Sequence, residues 1–154
     1  MRIPKAAWTI VYEVARHVLR RPVVGICCAA KTEDGRWLLI RRSDTNQWAM
    51  PGGTLEWGET FRTAIERELL EEAGCRVVSL GGISGVYSGP ERDPRFHAVT
   101  LVVSATVTQP HAPPVNPLEI LEVQLFADDE LPETLSHSQT DMFQAARQGQ
   151  LRWE

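Results

Sequence analysis

Cysteine is scarce in this chain. There are three, Cys27, Cys28 and Cys75, two of them adjacent inside an apolar run. An odd number so placed is not a disulfide framework and fits a reducing, cytoplasmic compartment best. Long apolar stretches are missing too, and none approaches the roughly 20 residues of a membrane span. There is no surplus of positive charge: the formal net charge is −4, so no global basic field draws the chain to nucleic acid. No internal repeat is present, and the one biased stretch is a short proline cluster within Gln109–Pro117. The 154 residues, 43% of them hydrophobic, suit a single domain, 1–154, large enough for its own core.

What is present is acid, gathered in one place. Residues 53–75 read GTLEWGETFRTAIERELLEEAGC. At about 100° per residue on a helix, Glu68, Glu71 and Glu72 share one narrow sector, and Ile65, Leu69 and Ala73 form the apolar sector beside it. Three carboxylates so close repel one another unless something neutralises them. Hard divalent cations prefer oxygen ligands, so the cluster reads as a metal site for Mg²⁺ or Mn²⁺. A solvated acidic face accounts for Glu66 and the Glu71–Glu72 pair. It does not account for glycines and Glu59 at fixed offsets before them. Gly74 follows the last periodic residue, as a helix C-terminal glycine does.

Gly53, Glu59, Arg67–Glu68, Leu69, Glu71–Glu72 and Gly74 stand at the spacing of the Nudix signature. Only Cys75 departs, where that pattern has Val, Ile or Leu, and cysteine packs as a small hydrophobe. The chain resembles the Nudix hydrolases. The basic pair Arg41–Arg42 followed by Trp48-x-x-Pro51-Gly52-Gly53 is similar to that family as well, with proline and glycines suited to a sharp turn close to a ligand. The resemblance covers roughly Val23 to Arg147 and implies an α/β/α sandwich around a mixed sheet, an α/β (α+β) fold.

Along the chain, Lys5–Arg20 reads as a helix with Ala7, Ile10, Val11, Val14 and Val18 on one stripe. It belongs to an extension, 1–21, outside the resemblance. Two partners for the stripe stay open, its own domain or a second subunit in a homodimer; a membrane-surface or transit helix is a lesser option, because Glu13 breaks the basic pattern. Val23–Ala30 is nearly continuous apolar sequence, typical of a strand buried on both faces. Glu33–Asp34–Gly35 marks a hairpin before a strand at Trp37–Arg42. Beyond the acidic helix, strands are expected at Arg76–Leu80, Ile83–Tyr87, Phe96–Thr108 and Glu119–Phe126. A last helix over Gln139–Arg147 is expected to be capped by Ser138.

The resemblance implies hydrolysis of a diphosphate joined to a nucleoside and to another group. Glu68, Glu71 and Glu72 would hold the metal, with a backbone carbonyl at Gly52; Gly53, Glu59 and Gly74 would shape the motif. Arg67 would orient a glutamate. The general base would be a signature glutamate such as Glu71 or an acid on a later loop, for which Glu119 is favoured; His137 is a further option. The loop Ser88–His97, SGPERDPRFH, resembles that of the branch cleaving ADP-ribose and other nucleoside diphosphate sugars. Arg42, Arg92, Asp93, Arg95 and His97 are the candidate phosphate and sugar contacts, and Trp48 a candidate base-stacking group. The expected partner is a small nucleotide, cleaved to a nucleoside monophosphate and a sugar phosphate. Alternatives are a triphosphate pyrophosphohydrolase of the nucleotide-sanitising type, a dinucleoside polyphosphate or RNA 5′-end hydrolase, and a nucleotide-binding regulator without turnover.

Overall fold

The computed structural model describes residues 5–154. Helix α1 (Lys5–Leu19) is followed by strands β1 (Val23–Thr32), β2 (Trp37–Arg42), β3 (Trp48–Ala49) and β4 (Gly52–Thr54). Then come α2 (Phe61–Ala73), β5 (Val77–Tyr87), β6 (Ala98–Val107), β7 (Ile120–Phe126), α3 (Thr140–Arg147) and β8 (Arg152–Trp153). The sheet is mixed. β1 and β6 run parallel over their full lengths, from Val23 opposite Ala98 to Thr32 opposite Val107, and β5 and β8 are also parallel.

β1 explains the sandwich. Successive side chains on a strand point to opposite faces, and here both faces are covered. Ile26, Cys28 and Ala30 pack with Ile65, Leu69 and Ala73 of α2. Cys27 and Ala29 pack with Met142 and Phe143 of α3. A strand buried on both sides has to be apolar at every position, which is how this segment reads. Trp37 closes the second layer edge-on against Phe143, with ring centroids 5.2 Å apart.

β1 and β2 pair only at the hairpin, Lys31 opposite Trp37. Past that point they take other partners. β1 pairs with β4 through Gly25, Ile26 and Cys27, and β2 pairs with β7 from Trp37–Phe126 to Arg42–Ile120. The divergence opens a gap in the sheet, and α2 lies across it.

α2 begins at Thr60, whose hydroxyl accepts the Thr63 N–H while Thr63 returns the bond to the Thr60 N–H. This reciprocal cap satisfies two of the helix's open donors. The helix ends at Gly74 in the left-handed region, φ 61°. The proline-rich loop lies against that end, with the His111 N–H on the Gly74 carbonyl and the Val115 N–H on the Glu71 carbonyl.

Several boundaries differ from expectation. β5 continues through Gly81–Gly82 as one strand, with register shifts against β6 on either side of that pair. β3, β4 and β8 are too short to leave an alternating pattern. Glu119 precedes β7 instead of opening it. Ser138 does not cap α3: it and His137 both have positive φ, 53° and 50°, and Gln139 takes the cap position without a side-chain bond. The stripe of α1 is not buried on this domain, since Ile10, Val11, Val14 and Val18 are each more than half exposed. The three cysteines are free and buried. Among the described residues no helix is long and apolar enough to cross a membrane.

A methyl group at Gly74 would lie 2.0 Å from the Ala112 carbonyl oxygen, at a φ that L-residues avoid. Gly74→Ala is therefore expected to lower the unfolding free energy by about 2 kcal/mol or more, measured by urea denaturation. A loss within experimental error would show that the close contact between helix end and proline loop is absent in solution.

Candidate active site

The site lies where β1 and β2 part, in a cleft of about 490 Å³. One wall is α2, the floor is Gly25–Cys27 with Gly52–Thr54, and the far side is formed by Arg42, Glu119 and the loop carrying Asp93 and Arg95.

Arg67 organises the acidic wall. Its Nε and one terminal nitrogen donate to the two oxygens of Glu59, at 2.8 and 3.0 Å. That second nitrogen also donates to the Thr54 carbonyl at 3.2 Å. The other terminal nitrogen donates to Glu68 at 2.8 Å and reaches Glu71 at 3.5 Å. A guanidinium has five N–H groups in a rigid fork, and here each has a carboxylate or carbonyl to meet. The Arg67 hydrogen bonds hold the Glu59 carboxyl down at about 2, and the Glu56 N–H adds to that. Arg67 and Glu59 thus brace the loop before α2, as the motif implies, and Arg67 has no donor left for a substrate.

Glu72 is buried. Its Oε2 accepts the Gly52 N–H at 2.8 Å. Burial pushes its carboxyl up to about 8, against the pull of that N–H and with the help of the Glu68 charge. Glu68 is buried as well, and burial raises it while Arg67 pulls the other way. Gly53 makes the room: a Cβ there would sit 2.2 Å from Glu68 Oε1. A Cβ on Gly52 would meet the Ile26 carbonyl at 2.1 Å, so the β1–β4 contact also requires glycine.

Two desolvated carboxylates and Glu71, half-exposed beside them, form an all-oxygen donor set of the kind hard divalent cations take. Among the described residues no group of three acidic, histidine or cysteine side chains is already drawn together to hold a metal ion. Glu68 is turned toward Arg67 and Glu72 toward Gly52. The donor chemistry of Glu68, Glu71 and Glu72 fits a divalent cation. A buried carboxylate that must ionise to bind it gives the metal somewhere to act.

Across the cleft, Arg42 donates from Nε and one terminal nitrogen to both oxygens of Asp44, at 3.0 and 3.1 Å. It also lies 3.5 Å from Glu119. Glu119 is exposed, accepts weakly from Asn116 at 3.4 Å, and its charge contributes to raising both Glu68 and Glu72. It lines the same cleft as the acidic helix. Asp44 gathers two arginines and a histidine: Arg42, Arg95 at 3.4 Å and His137 at 3.2 Å. His137 lines the cleft, turned there by its left-handed backbone, a conformation that costs about 1–2 kcal/mol for residues other than glycine. Asp44, Asn116 and Gln139 went unnoticed in the sequence; each is an isolated polar residue, and Asp44 and Gln139 also meet partners distant along the chain, Arg95 and Met50.

Three expected substrate contacts are corrected. Trp48 lies outside the cleft, edge-on against Phe126 at 4.9 Å, because β3 pairs with β2 and turns it into the second core layer. His97 is outside too, with Nε2 on the Ser88 carbonyl at 2.9 Å. Arg92 lines the cleft, but its guanidinium faces Asp141 and Glu154. Arg95 is different. It meets Asp93 through Nε and one terminal nitrogen, at 3.0 and 2.7 Å, and is more exposed than Arg92. It can still turn donors to the cleft.

The NUDIX domain model matches residues 19–146, and the chain belongs to that family. It is 41% identical over 73 residues to the ADP-ribose pyrophosphatase of Methanocaldococcus jannaschii, a match covering 46% of this chain and 43% of that protein. It is 37% identical over 65 residues to a putative 8-oxo-dGTP diphosphatase of Bacillus subtilis, covering 42% and 43%. The matched segments span less than half the length of either relative. The crystal structure of a MutT NUDIX hydrolase from Burkholderia pseudomallei superposes with a TM-score of 0.68 at 29% identity, over 82% of this chain and 98% of that one. The mixed-sheet sandwich is thus the family's.

The raised Glu72 carboxyl predicts a pH signature. Its folded value, about 8, exceeds the unfolded value near 4.3, so the protonated form is favoured by folding. Metal-free protein should lose on the order of 1 kcal/mol of stability per pH unit between about pH 5 and 8. Added Mg²⁺ or Mn²⁺ should raise Tm more at pH 8 than at pH 6. Scanning calorimetry with and without EDTA checks both, and equal metal shifts at the two pH values would contradict the assignment.

Proposed function

We propose that the chain is a divalent-metal-dependent pyrophosphatase that cleaves the diphosphate bridge of a nucleoside diphosphate sugar such as ADP-ribose. The observation that carries this reading is the pairing of two unlike walls across one cleft. α2 presents Glu68, Glu71 and Glu72; the opposite loop presents Arg95 beside Asp93, a cation for phosphate and an acceptor for sugar hydroxyls. The relative named ADP-ribose pyrophosphatase supports it. A triphosphate offers nothing hydroxylated on that side.

Glu68, Glu71 and Glu72, with a carbonyl at Gly52, would hold Mg²⁺ or Mn²⁺. The cation, when bound, neutralises phosphate oxygens and acidifies water. Arg67 keeps Glu68 and Glu71 oriented from the far side. Arg42 and Arg95 hold phosphate oxygens with N–H groups not taken by Asp44 and Asp93, a task that suits the planar guanidinium. Glu119 accepts the proton of the attacking water. The water oxygen bonds to one phosphorus, the bridging P–O bond breaks, and its electrons leave with the second phosphate. The products are a nucleoside monophosphate and a sugar phosphate.

A screen of ADP-ribose, GDP-mannose, dGTP and a dinucleoside tetraphosphate, with Mg²⁺ and with EDTA, tests the reading. Hydrolysis should favour a diphosphate sugar and vanish in EDTA. Preference for dGTP would instead place the chain with its relative named as an 8-oxo-dGTP diphosphatase. Glu72→Gln should lose about 100-fold or more in kcat. Arg95→Ala should lower kcat/KM for the diphosphate sugar about tenfold or more with little change in Tm.

The reading includes a homodimer. The exposed Ile10, Val11, Val14 and Val18 of α1 are what a second copy would cover, since exposed apolar stripes favour association. Light scattering should give a dimer for the full chain and a monomer for a chain beginning at Pro22. A full-length monomer at micromolar concentration would rule the arrangement out.

A further inference from the structure

Every N–H group of the Arg92 guanidinium is engaged, and none of those partners lies in its own loop. Nε donates to the carboxylate of Glu154 at 3.0 and 3.1 Å. One terminal nitrogen donates to Asp141 Oδ1 at 3.0 Å and to the Ser138 carbonyl at 3.1 Å. The other donates to Asp141 Oδ2 at 2.9 Å and to Glu154 Oε1. The guanidinium also lies over the Tyr87 ring, 4.8 Å from its centroid. The residue that the sequence offers as a phosphate contact is a bolt.

Glu154 is the other half of the bolt. Its Oε2 accepts the N–H groups of Ser88 and Gly89, at 3.0 and 2.9 Å. One carboxylate therefore holds the first turn of the 88–97 loop by its backbone and the middle of the loop through Arg92. β8 delivers that carboxylate: Arg152 and Trp153 pair in parallel with Gly85 and Val86, and the Glu154 N–H reaches the Val86 carbonyl at 3.0 Å. Gly85 allows the approach, since a Cβ there would meet the Arg152 carbonyl at 2.7 Å. The loop's remaining side-chain tie to the cleft wall is Arg95 to Asp44, long at 3.4 Å.

We propose that Glu154 is a positioning residue for substrate: acting through Arg92 and the Ser88–Gly89 backbone, it fixes the loop so that Arg95 and Asp93 face the acidic helix. This rests on the function proposed above, in which those two side chains meet phosphate and sugar. Glu154 itself does not line the cleft. Its effect should therefore appear in binding and loop order, with the chemical step spared. A partly exposed ion pair adds little to stability, so a merely structural role would move neither quantity much.

Glu154→Gln keeps the size and one acceptor oxygen while removing the charge opposite Arg92. The expected result is a rise in KM of about tenfold, the loss of a charge-assisted hydrogen bond, with kcat within about twofold. KM is read on the best substrate from the screen. In parallel, trypsin cutting of folded protein after Arg92 or Arg95 should quicken about tenfold at unchanged Tm, as the loop's local opening becomes easier. Arg92→Lys, which keeps charge but cannot span both carboxylates, should reproduce the KM effect. An unchanged KM overturns the proposal, and so does an unchanged cutting rate. If the screen finds no diphosphate sugar hydrolysed, the function proposed above fails. The trypsin arm and the KM for whichever nucleotide is turned over then decide the role of Glu154 separately.

Discussion

One guanidinium holds the acidic half of this molecule in shape. Arg67 reaches back to Glu59 and Thr54 in the turn before α2 and across to Glu68 and Glu71 on its own helix. Without it, a helix face carrying Glu68, Glu71 and Glu72 would repel itself, and the turn that brings Gly52 and Gly53 against the helix would lose its anchor. With it, Glu68 can be buried against Gly53 and Glu72 against the Gly52 N–H. The residual carboxylate charge is then directed into the cleft, where a cation is the natural complement.

That arrangement depends on a gap in the sheet. A hairpin whose strands stayed paired would fill the space that α2 faces. Because β1 turns to β4 and β2 turns to β7, backbone glycines come up beneath the carboxylates. The strand ends carrying Arg42 and Glu119 stand opposite. Burial and charge then work in opposite senses on the two walls. Desolvation raises Glu68 and Glu72 on the acidic wall, whereas Asp44, which braces the other wall, is held down at about 2 by arginine. Groups that bind a metal or move a proton need the first environment, and groups that fix arginines need the second.

Two arginines one and two residues from Asp93 look alike in SGPERDPRFH, yet their environments separate them. Arg92 is closed in by carboxylates from α3 and β8, and Arg95 stays near the cleft with donors to spare. His137 and Ser138 contribute at the cost of two left-handed residues in a row. The first is turned to Asp44, and the second presents its carbonyl to Arg92. Strain of that kind persists where surrounding contacts over-determine it, as they do here.

The sequence alone determined whatever depends on short spacing. Helix geometry made Glu68, Glu71, Glu72 and Gly74 legible as one face and its end, and the motif that the chain resembles added Glu59 and Arg67. The double-sided burial of β1 was legible too, because an apolar residue at every position leaves no polar face. Only the tertiary structure decided the meaning of residues whose partners are far away in the chain. Arg92 meets residues about 50 and 60 positions later; Trp48 turns to Phe126 because β3 and β7 both pair with β2. The stripe on α1 was visible as a pattern, but only the fold showed that its own domain does not cover it. Local periodicity records which side a residue faces. It does not record what the rest of the chain brings to that side.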